Sequence, residues 1–181
     1  MKTEQSLVPK LRFKGYNSAW HTKTIEQVLE KVSKPVAVID SQRYNQIGIR
    51  SHGKGIFYKD PVTGESLGKK RVFWIQAECL IVNIIFAWEH AIAKSTENEK
   101  GMVASHRFPM YAPIENQCII DFILRFFLRK RGKYLLGLAS PGGAGRNKTL
   151  GQKDFGQLKI SLPTLPEQEK IAAFLTSVDD R

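Results

Sequence analysis

The chain has 181 residues, 42% hydrophobic and 25% charged, which is enough apolar material for one buried core and too much for a disordered segment. Lys and Arg number 28 against 17 Asp and Glu, a formal net charge of +11; this points to an anionic partner, nucleic acid first and a membrane surface second, with a merely soluble basic protein as the plainer alternative. The longest apolar run, residues 80–88, is interrupted by Asn83 and falls well short of the ~20 residues of a membrane span. Two distant cysteines, Cys79 and Cys118, make no disulfide framework, and residues 1–6 lack a signal-peptide core, so a reducing cytoplasm is the expected setting.

Residues 1–20 read as extended and polar, with Leu11, Phe13, Tyr16 and Trp20 available to pack. Residues 24–32 read as a helix: Ile25, Val28, Leu29 and Val32 share a face, Glu26, Glu30 and Lys31 lie off it, and Pro35 ends it. Residues 36–39 and 46–49 are short β-branched strand candidates. Residues 50–70 combine turn formers (Gly53, Gly55, Pro61, Gly64, Gly68) with Arg50, His52, Lys54, Lys59, Lys69 and Lys70, the pattern of a basic hairpin or long loop. A strand is expected at 71–76, beginning at Arg71. Residues 78–90, rich in Ile, Val, Phe and Trp, read as a strand pair or one bent strand. After a charged turn at 95–100, residues 102–111 return as a strand carrying His106 and Arg107.

The period then changes. Over 117–131, Ile120, Ile123, Leu124, Phe127 and Leu128 line one helical face, with Asp121, Arg125 and Arg129 on the other at i, i+4 spacing. A second short helix is expected around 133–139. Thr149 with Gln152 suggests a capped helix after a glycine-rich run, and 158–162 is the last strand. Two prolines follow; Thr164 with Glu167 fits a capping box, and Pro166 suits a first helical turn. Ile171, Phe174, Leu175 and Val178 then recur at i, i+3, i+4, i+7, with Ile171 and Val178 one heptad apart as in a coiled-coil seam. So short a helix is marginal alone, and its stripe needs a partner. Strands in the middle and helices on the flanks define a mixed α+β (α/β) class, a compact strand-rich head with a C-terminal helix.

Three features carry candidate chemistry. From Gly142 the chain runs Gly-Gly-Ala-Gly-Arg-Asn-Lys-Thr, a near miss for a nucleotide-binding P-loop with Asn147 where the second invariant Gly belongs. The same loop has two other readings: Arg146 and Lys148 gripping a DNA backbone, or a plain surface turn. Between residues 122 and 153 there are eight Lys or Arg and no Asp or Glu, which suits phosphate contact or a solvated helix face. Arg50, His52, Arg107 and Asn147 have donors suited to base edges, whereas Lys54 and Lys148 suit phosphates; Lys69, Lys70, Arg71 and His106 belong to the same basic set, and Asn45 and Gln46 are further amides of this kind. Singly, each is also what a solvated surface residue looks like. No histidine stands at zinc-ligand spacing with a cysteine. Catalytic motifs are missing as well: Asn83-Ile84-Ile85-Phe86 lacks the prolines of an amino-methylating DNA methyltransferase, and there is no G-x-G-x-x-G, G-x-S-x-G or convincing nuclease carboxylate cluster.

A strand followed by Leu162-Pro163-Thr164-Leu165-Pro166-Glu167-Gln168-Glu169-Lys170-Ile171-Ala172-Ala173-Phe174-Leu175 resembles the junction between a target-recognition domain and a conserved helix in type I restriction-modification specificity subunits. Val8-Pro9-Lys10-Leu11-Arg12-Phe13, and Trp20 before a short helix, resemble the lead-in to the same domain. The likeness covers the whole chain in layout and its two ends in motif. It implies a DNA-recognition domain over residues 1–162 and the start of a spacer helix over 163–181. It also implies a non-catalytic chain with no cofactor of its own. Such subunits read a bipartite double-stranded DNA site and hold methyltransferase subunits that use S-adenosylmethionine; restriction subunits, with ATP and Mg, then join. The spacers pair as an antiparallel coiled coil, so the 171–178 stripe would meet a second recognition domain's helix in a longer chain, or a homodimer mate. A fragment or a natural half-subunit both fit. The competing expectation is a small nucleotide-dependent enzyme built on residues 142–149. For a DNA reader of this charge, affinity for random duplex should fall steeply as salt rises from low to physiological concentration, measured by fluorescence anisotropy; a flat response would remove the phosphate-gripping surface.

Overall fold

The computed structural model describes residues 9, 11–143 and 148–179. Its strands are β1 (His21–Thr24), β2 (Leu29–Val32), β3 (Arg43–Ile49), β4 (Ile56–Thr63), β5 (Val72–Trp74), β6 (Leu80–Val82), β7 (Ile92–Lys94), β8 (Val103–Ser105), β9 (Met110–Pro113) and β10 (Lys159–Leu162). The helices are α1 (Gly64–Leu67), α2 (Ile120–Phe127), α3 (Lys130–Leu138), α4 (Gln152–Gly156) and α5 (Leu165–Asp179). This is the expected mixed α+β class. The strands form a two-stranded sheet β1-β10 and two four-stranded sheets, β2-β9-β6-β7 and β4-β3-β8-β5. Among the described residues, only β3 and β8 pair in parallel.

Period-two alternation builds the layers. In β6, Leu80 and Val82 face a core shared with α2, α3 and α4, including Ile123, Phe127, Leu136 and Phe155; Ile81 points the other way, to Ile47 and Ile49 of β3 and Ala104 of β8. In β7, Ile92 and Ala93 divide likewise. The middle sheet is therefore covered on both faces, by helices on one side and by the β3-containing sheet on the other, which is why residues 80–82 and 91–93 are almost uniformly apolar. A smaller cluster, Tyr44, Leu67, Val72 and Val103, closes the outer sheet.

Several local expectations change. Residues 24–32 are not a helix but a 3-10 turn, Ile25–Gln27, followed by β2, whose backbone pairs with β9 from Leu29↔Pro113 to Val32↔Met110. The apolar positions 25, 28, 29 and 32 follow the helical period and not an alternation, and the pairing with β9 overrides it. Residues 36–39 form no strand; they are an extended strap in which the Val36 amide bonds Val72 O (3.0 Å) and Val36 and Val38 lie on the third cluster. Within 78–90 only residues 80–82 are strand. Asn83 then turns the chain by accepting the Ile85 amide (3.1 Å), and a 3-10 turn, Ala87–Glu89, follows. The expected 102–111 strand is two strands in different sheets, broken at His106-Arg107 just before Pro109, which has no amide to extend a ladder. Residues 50–70 do form a hairpin, with α1 after it.

The long helix expected over 117–131 stops at Phe127 and restarts as α3. Gly132 permits the elbow: a Cβ there would collide with the backbone of Phe126 and Phe127. Neither expected capping box forms as read. The N-cap of α4 is Gly151, without a side-chain bond. Glu167 is committed to Arg12, at 2.6 Å from each carboxylate oxygen. Along α5, Ala172 is buried and Ile171 packs on the main core, while Phe174 meets Phe13 edge-on (5.5 Å) and stays half exposed, as does Val178. The stripe thus lies partly against the head. Gln168 secures this docking: its Oε1 accepts the Ile119 amide (2.9 Å) and its Nε2 donates to Pro163 O (3.0 Å).

Replacing Gly132 with Ala should destabilise the head by more than about 2 kcal/mol, because the obstructing atoms are backbone and cannot rotate away. Substituting the nearby Gly137, around which a Cβ meets nothing, should be neutral or slightly stabilising. Urea unfolding of the two variants checks the contrast.

Candidate nucleic-acid interface

The solvent face of the β3–β4 hairpin organises the candidate site. Side chains of Ile47 and Ile49 go to the core, so Gln46 and Gly48 face outward, paired across the ladder with Lys59 and Phe57. Gly48 has no side chain, and the Phe57 ring occupies the place where its Cβ would stand. Two cations then flank the ring: the Arg50 guanidinium carbon lies 4.9 Å and the Lys59 ammonium 6.0 Å from its centroid. A register shift between Tyr44 and Gln46 places the bulge beside Pro61, on a strand at the sheet edge where a missing amide is tolerated.

Next to this face is a cavity of about 320 Å³, lined by Gln46, Lys59, Lys70, Ser105, His106 and Arg107 among others. The His106 amide bonds Arg71 O (3.1 Å), which fixes the broken strand against the start of β5. The sheet-switching turn therefore leaves His106 and Arg107, both exposed, at the rim of this cavity, where a continuous strand would not. Lys69 and Arg71 are exposed beside them in sequence but do not line the cavity.

The hairpin tip makes a second cluster. His52 (φ 63°) and Gly53 (φ 68°) turn it over. The His52 amide bonds Glu89 O (2.6 Å), the Gly53 amide bonds His90 O (3.0 Å), and Ser51 Oγ donates to Glu89 Oε2 (3.1 Å). The tip is thereby docked on the 87–90 turn, with Lys54 exposed beyond it. On the same turn, the Lys148 ammonium lies 5.3 Å from the centre of the Trp88 ring. His90 is held below its ordinary pKa of 6.5, first by burial and then by the charges of Lys133 and His52. The loop at 83–91 links both clusters, since the Ile84 amide bonds Arg107 O (3.0 Å) and the Leu150 amide bonds Ile84 O (2.8 Å). Arg146 and Asn147 lie outside the described residues.

The basic run 122–153 is not one surface. Arg125 Nη2 donates to Thr176 Oγ1 of α5 (3.1 Å), Arg131 stacks on Tyr134, and Lys133 faces His90. Asp121 takes Lys94 at 2.8 Å. In α2 the expected apolar residues Ile120, Ile123 and Phe127 are buried, joined by Phe122, while Asp121 and Arg125 reach β7 and α5 and Leu128 and Arg129 fall beyond its end. Nor does the glycine run sit where a P-loop would: helix α3, not a strand, precedes it. Among the described residues no group of three or more His, Cys, Asp or Glu is placed to hold a metal. Both cysteines are buried, and burial pushes the Cys79 thiol to about 11 and the Cys118 thiol to about 12. Reading the chain alone undervalued Gln46, Phe57, Trp88 and Lys133. The signal for the first two was the alternation Gln46, Gly48, Arg50 opposite Phe57 and Lys59.

A separate apolar groove of about 510 Å³ runs between the N-terminal segment, α2 and α5, lined by Leu11, Phe13, Phe126, Ile171, Phe174 and Leu175 among others. Three residues of the C-terminal stripe meet there; Val178 does not line it.

The depressed pKa of His90 has a consequence for stability. A base whose folded pKa is lowered favours the neutral form, so its contribution is present above 6.5 and is lost as pH falls through the folded value. His90→Gln should therefore flatten the acid side of a melting-temperature profile taken between about pH 5 and about pH 7.5. An unchanged acid slope would show that His90 does not report on the docked tip.

Comparison with known proteins places this architecture. The family model of the type I restriction modification DNA specificity domain matches residues 17–181. The HsdS subunit from Thermoanaerobacter tengcongensis superposes with a TM-score of 0.72 at 18% identity, over 90% of this chain and 42% of that one. A structure described as the basis of complex assembly and conformational transition of the type I R-M system gives 0.73 at 17% identity, over 92% and 43%. The S subunit of a type I restriction-modification system from M. genitalium gives 0.60 at 13% identity, over 96% and 42%. No curated protein matches. The chain spans less than half the length of these solved subunits, and at such identities they share its fold. With the family model covering nearly all of it, the chain belongs to the type I restriction-modification DNA specificity domain family.

Proposed function

We propose that this chain reads one part of a double-stranded DNA site on behalf of a type I restriction-modification enzyme. The observation that carries the reading is the hairpin face: Lys59, Lys70, His106 and Arg107 line one cavity together with Gln46, and Arg50 lies beside it on the Phe57 ring, on a sheet whose opposite face packs on the core. Cations on rigid strands suit phosphates, and guanidinium and imidazole groups at a rim suit base edges. The docked tip, with His52, Lys54, Trp88 and Lys148, extends the same contact along the duplex.

On this reading residues 1–162 are the recognition domain and 163–181 begin the spacer helix. The chain is non-catalytic. A separate methyltransferase subunit holds S-adenosylmethionine and modifies the DNA, and a restriction subunit supplies the ATP- and Mg-dependent step. The other part of a bipartite site falls to a second recognition domain, carried in the same longer chain or in a homodimer mate. Solved relatives more than twice as long as this chain support that division. No helix of the described residues is long and apolar enough to cross a membrane. A nucleotide-dependent enzyme at 142–149 is disfavoured by the helix that precedes the loop.

Lys59→Ala and Lys70→Ala should each weaken all duplexes alike and lower the salt slope by about 1, whereas Arg107→Ala should relax preference at one position by about 1–3 kcal/mol. Titrations of specific and scrambled duplexes at several salt concentrations separate these outcomes. If all three variants bind every duplex as the parent does, the DNA surface lies elsewhere.

A further inference from the structure

We infer that Gln46 is a specificity-determining residue of this site and that it reads an adenine in the major groove; the inference rests on the DNA-recognition reading above. Among the residues lining the hairpin cavity, Gln46 carries the one side-chain amide, with Lys59, Lys70, His106 and Arg107 around it. Those neighbours can only donate when charged, which suits phosphates and the paired acceptors of guanine. An amide instead presents a donor and an acceptor side by side. That pair matches adenine N7 and N6, while guanine offers two acceptors at O6 and N7 and would leave the Gln oxygen facing an acceptor.

Position supports the same assignment. Gln46 stands in the middle strand of its pairings, opposite Lys59 of β4 on one side and Val103 of β8 on the other, so its backbone is held from both flanks. The register shift immediately before it, between Tyr44 and Gln46, is the kind of irregularity that re-aims a side chain next to a site. Its side chain is part-buried and makes no hydrogen bond to another described residue, unlike Gln42, Gln76, Gln117 and Gln157, whose amides are each engaged. On the same strand face Gly48 carries no side chain, and the Phe57 ring that fills its place offers an apolar surface suited to a neighbouring thymine methyl.

The test is selection from a random duplex pool with the chain and its methyltransferase partner, followed by titration of the winning site. The unsubstituted chain should enrich a motif containing at least one adenine at which 7-deazaadenine, lacking N7, weakens binding by about 5- to 150-fold. Gln46→Ala should lose preference at that position alone, become indifferent to 7-deazaadenine there, and keep its salt slope. Gln46→Glu, whose carboxylate accepts from cytosine N4, should move that position toward cytosine. Gln46 is only part-buried and makes no hydrogen bond to another described residue, so thermal melts of both variants should lie close to the parent. If the parent enriches a motif that both variants reproduce at every position, the Gln46 inference falls and DNA recognition stands. If the parent enriches no motif, both fall.

Discussion

One buried ion pair holds the two ends of this chain together. Glu167, with no solvent exposure, takes both Arg12 Nε and Arg12 Nη2 at 2.6 Å, and the same Nη2 reaches Ser18 O at 2.6 Å. A carboxylate that deep in a protein is tolerable only with a cation and geometry of this quality. Its partner lies 155 residues away in sequence. The pair therefore fixes the N-terminal segment against the first turn of α5, and the β1–β10 ladder closes the same junction from His21↔Leu162 to Thr24↔Lys159. Phe13 against Phe174, and Tyr16 Oη bonding Pro166 O (3.3 Å), continue the seam. The chain leaves the head as a helix whose direction is set by these contacts and by Gln168, not by a capping box.

From that junction inward, the molecule separates support from contact. In the middle sheet, β6 and the adjoining Ile92 and Ala93 of β7 are apolar on both faces and serve packing alone. The outer sheet packs Ile47, Ile49 and Ala104 on one face, while the cluster of Tyr44, Leu67, Val72 and Val103 covers only part of the other and leaves Gln46, Lys59 and Phe57 outside it. Rigid strands hold Gln46, Lys59 and Phe57 at a fixed spacing, while two turns deliver the remaining groups: the strand break at His106-Arg107 and the tip at His52-Gly53. Each turn is tied by backbone hydrogen bonds to a neighbouring element, so the proposed contact surface sets loop residues on a rigid scaffold. Buried polar networks perform the same service at the sheet's far end, where Glu99 accepts from Tyr58 Oη and from the Thr96 amide and hydroxyl. Those bonds hold the Glu99 carboxyl below its ordinary pKa against the opposing effect of burial.

The family-typical residues at the two ends of the sequence acquire a physical meaning from this arrangement. Arg12 in the Pro-x-Leu-Arg-Phe run and Glu167 in the Leu-Pro-Glu-Gln run are the two halves of one contact, and Gln168 caps α2 from α5. A motif read as a junction between domain and helix is, in three dimensions, the point where the domain closes on itself.

The sequence by itself determined the class of the fold, the family, and much of the element order: the basic hairpin at 50–70, the helix around 120–127, the last strand and the C-terminal helix were all legible, because each rests on local periodicity and turn chemistry. It also placed Arg50, Lys70, His106 and Arg107 in one basic set. Only the tertiary structure made a turn and a strand of residues 24–32, since pairing with β9 outweighs a nine-residue helical pattern. It alone broke the 102–111 run at His106-Arg107, turned Arg125 toward Thr176, gave Glu167 to Arg12 rather than to a cap, and raised Gln46 from an ordinary polar residue to the floor of a charged cavity. The physical reason is common to all of these: each is settled by a partner distant in sequence, and composition and spacing within a window carry no record of that partner.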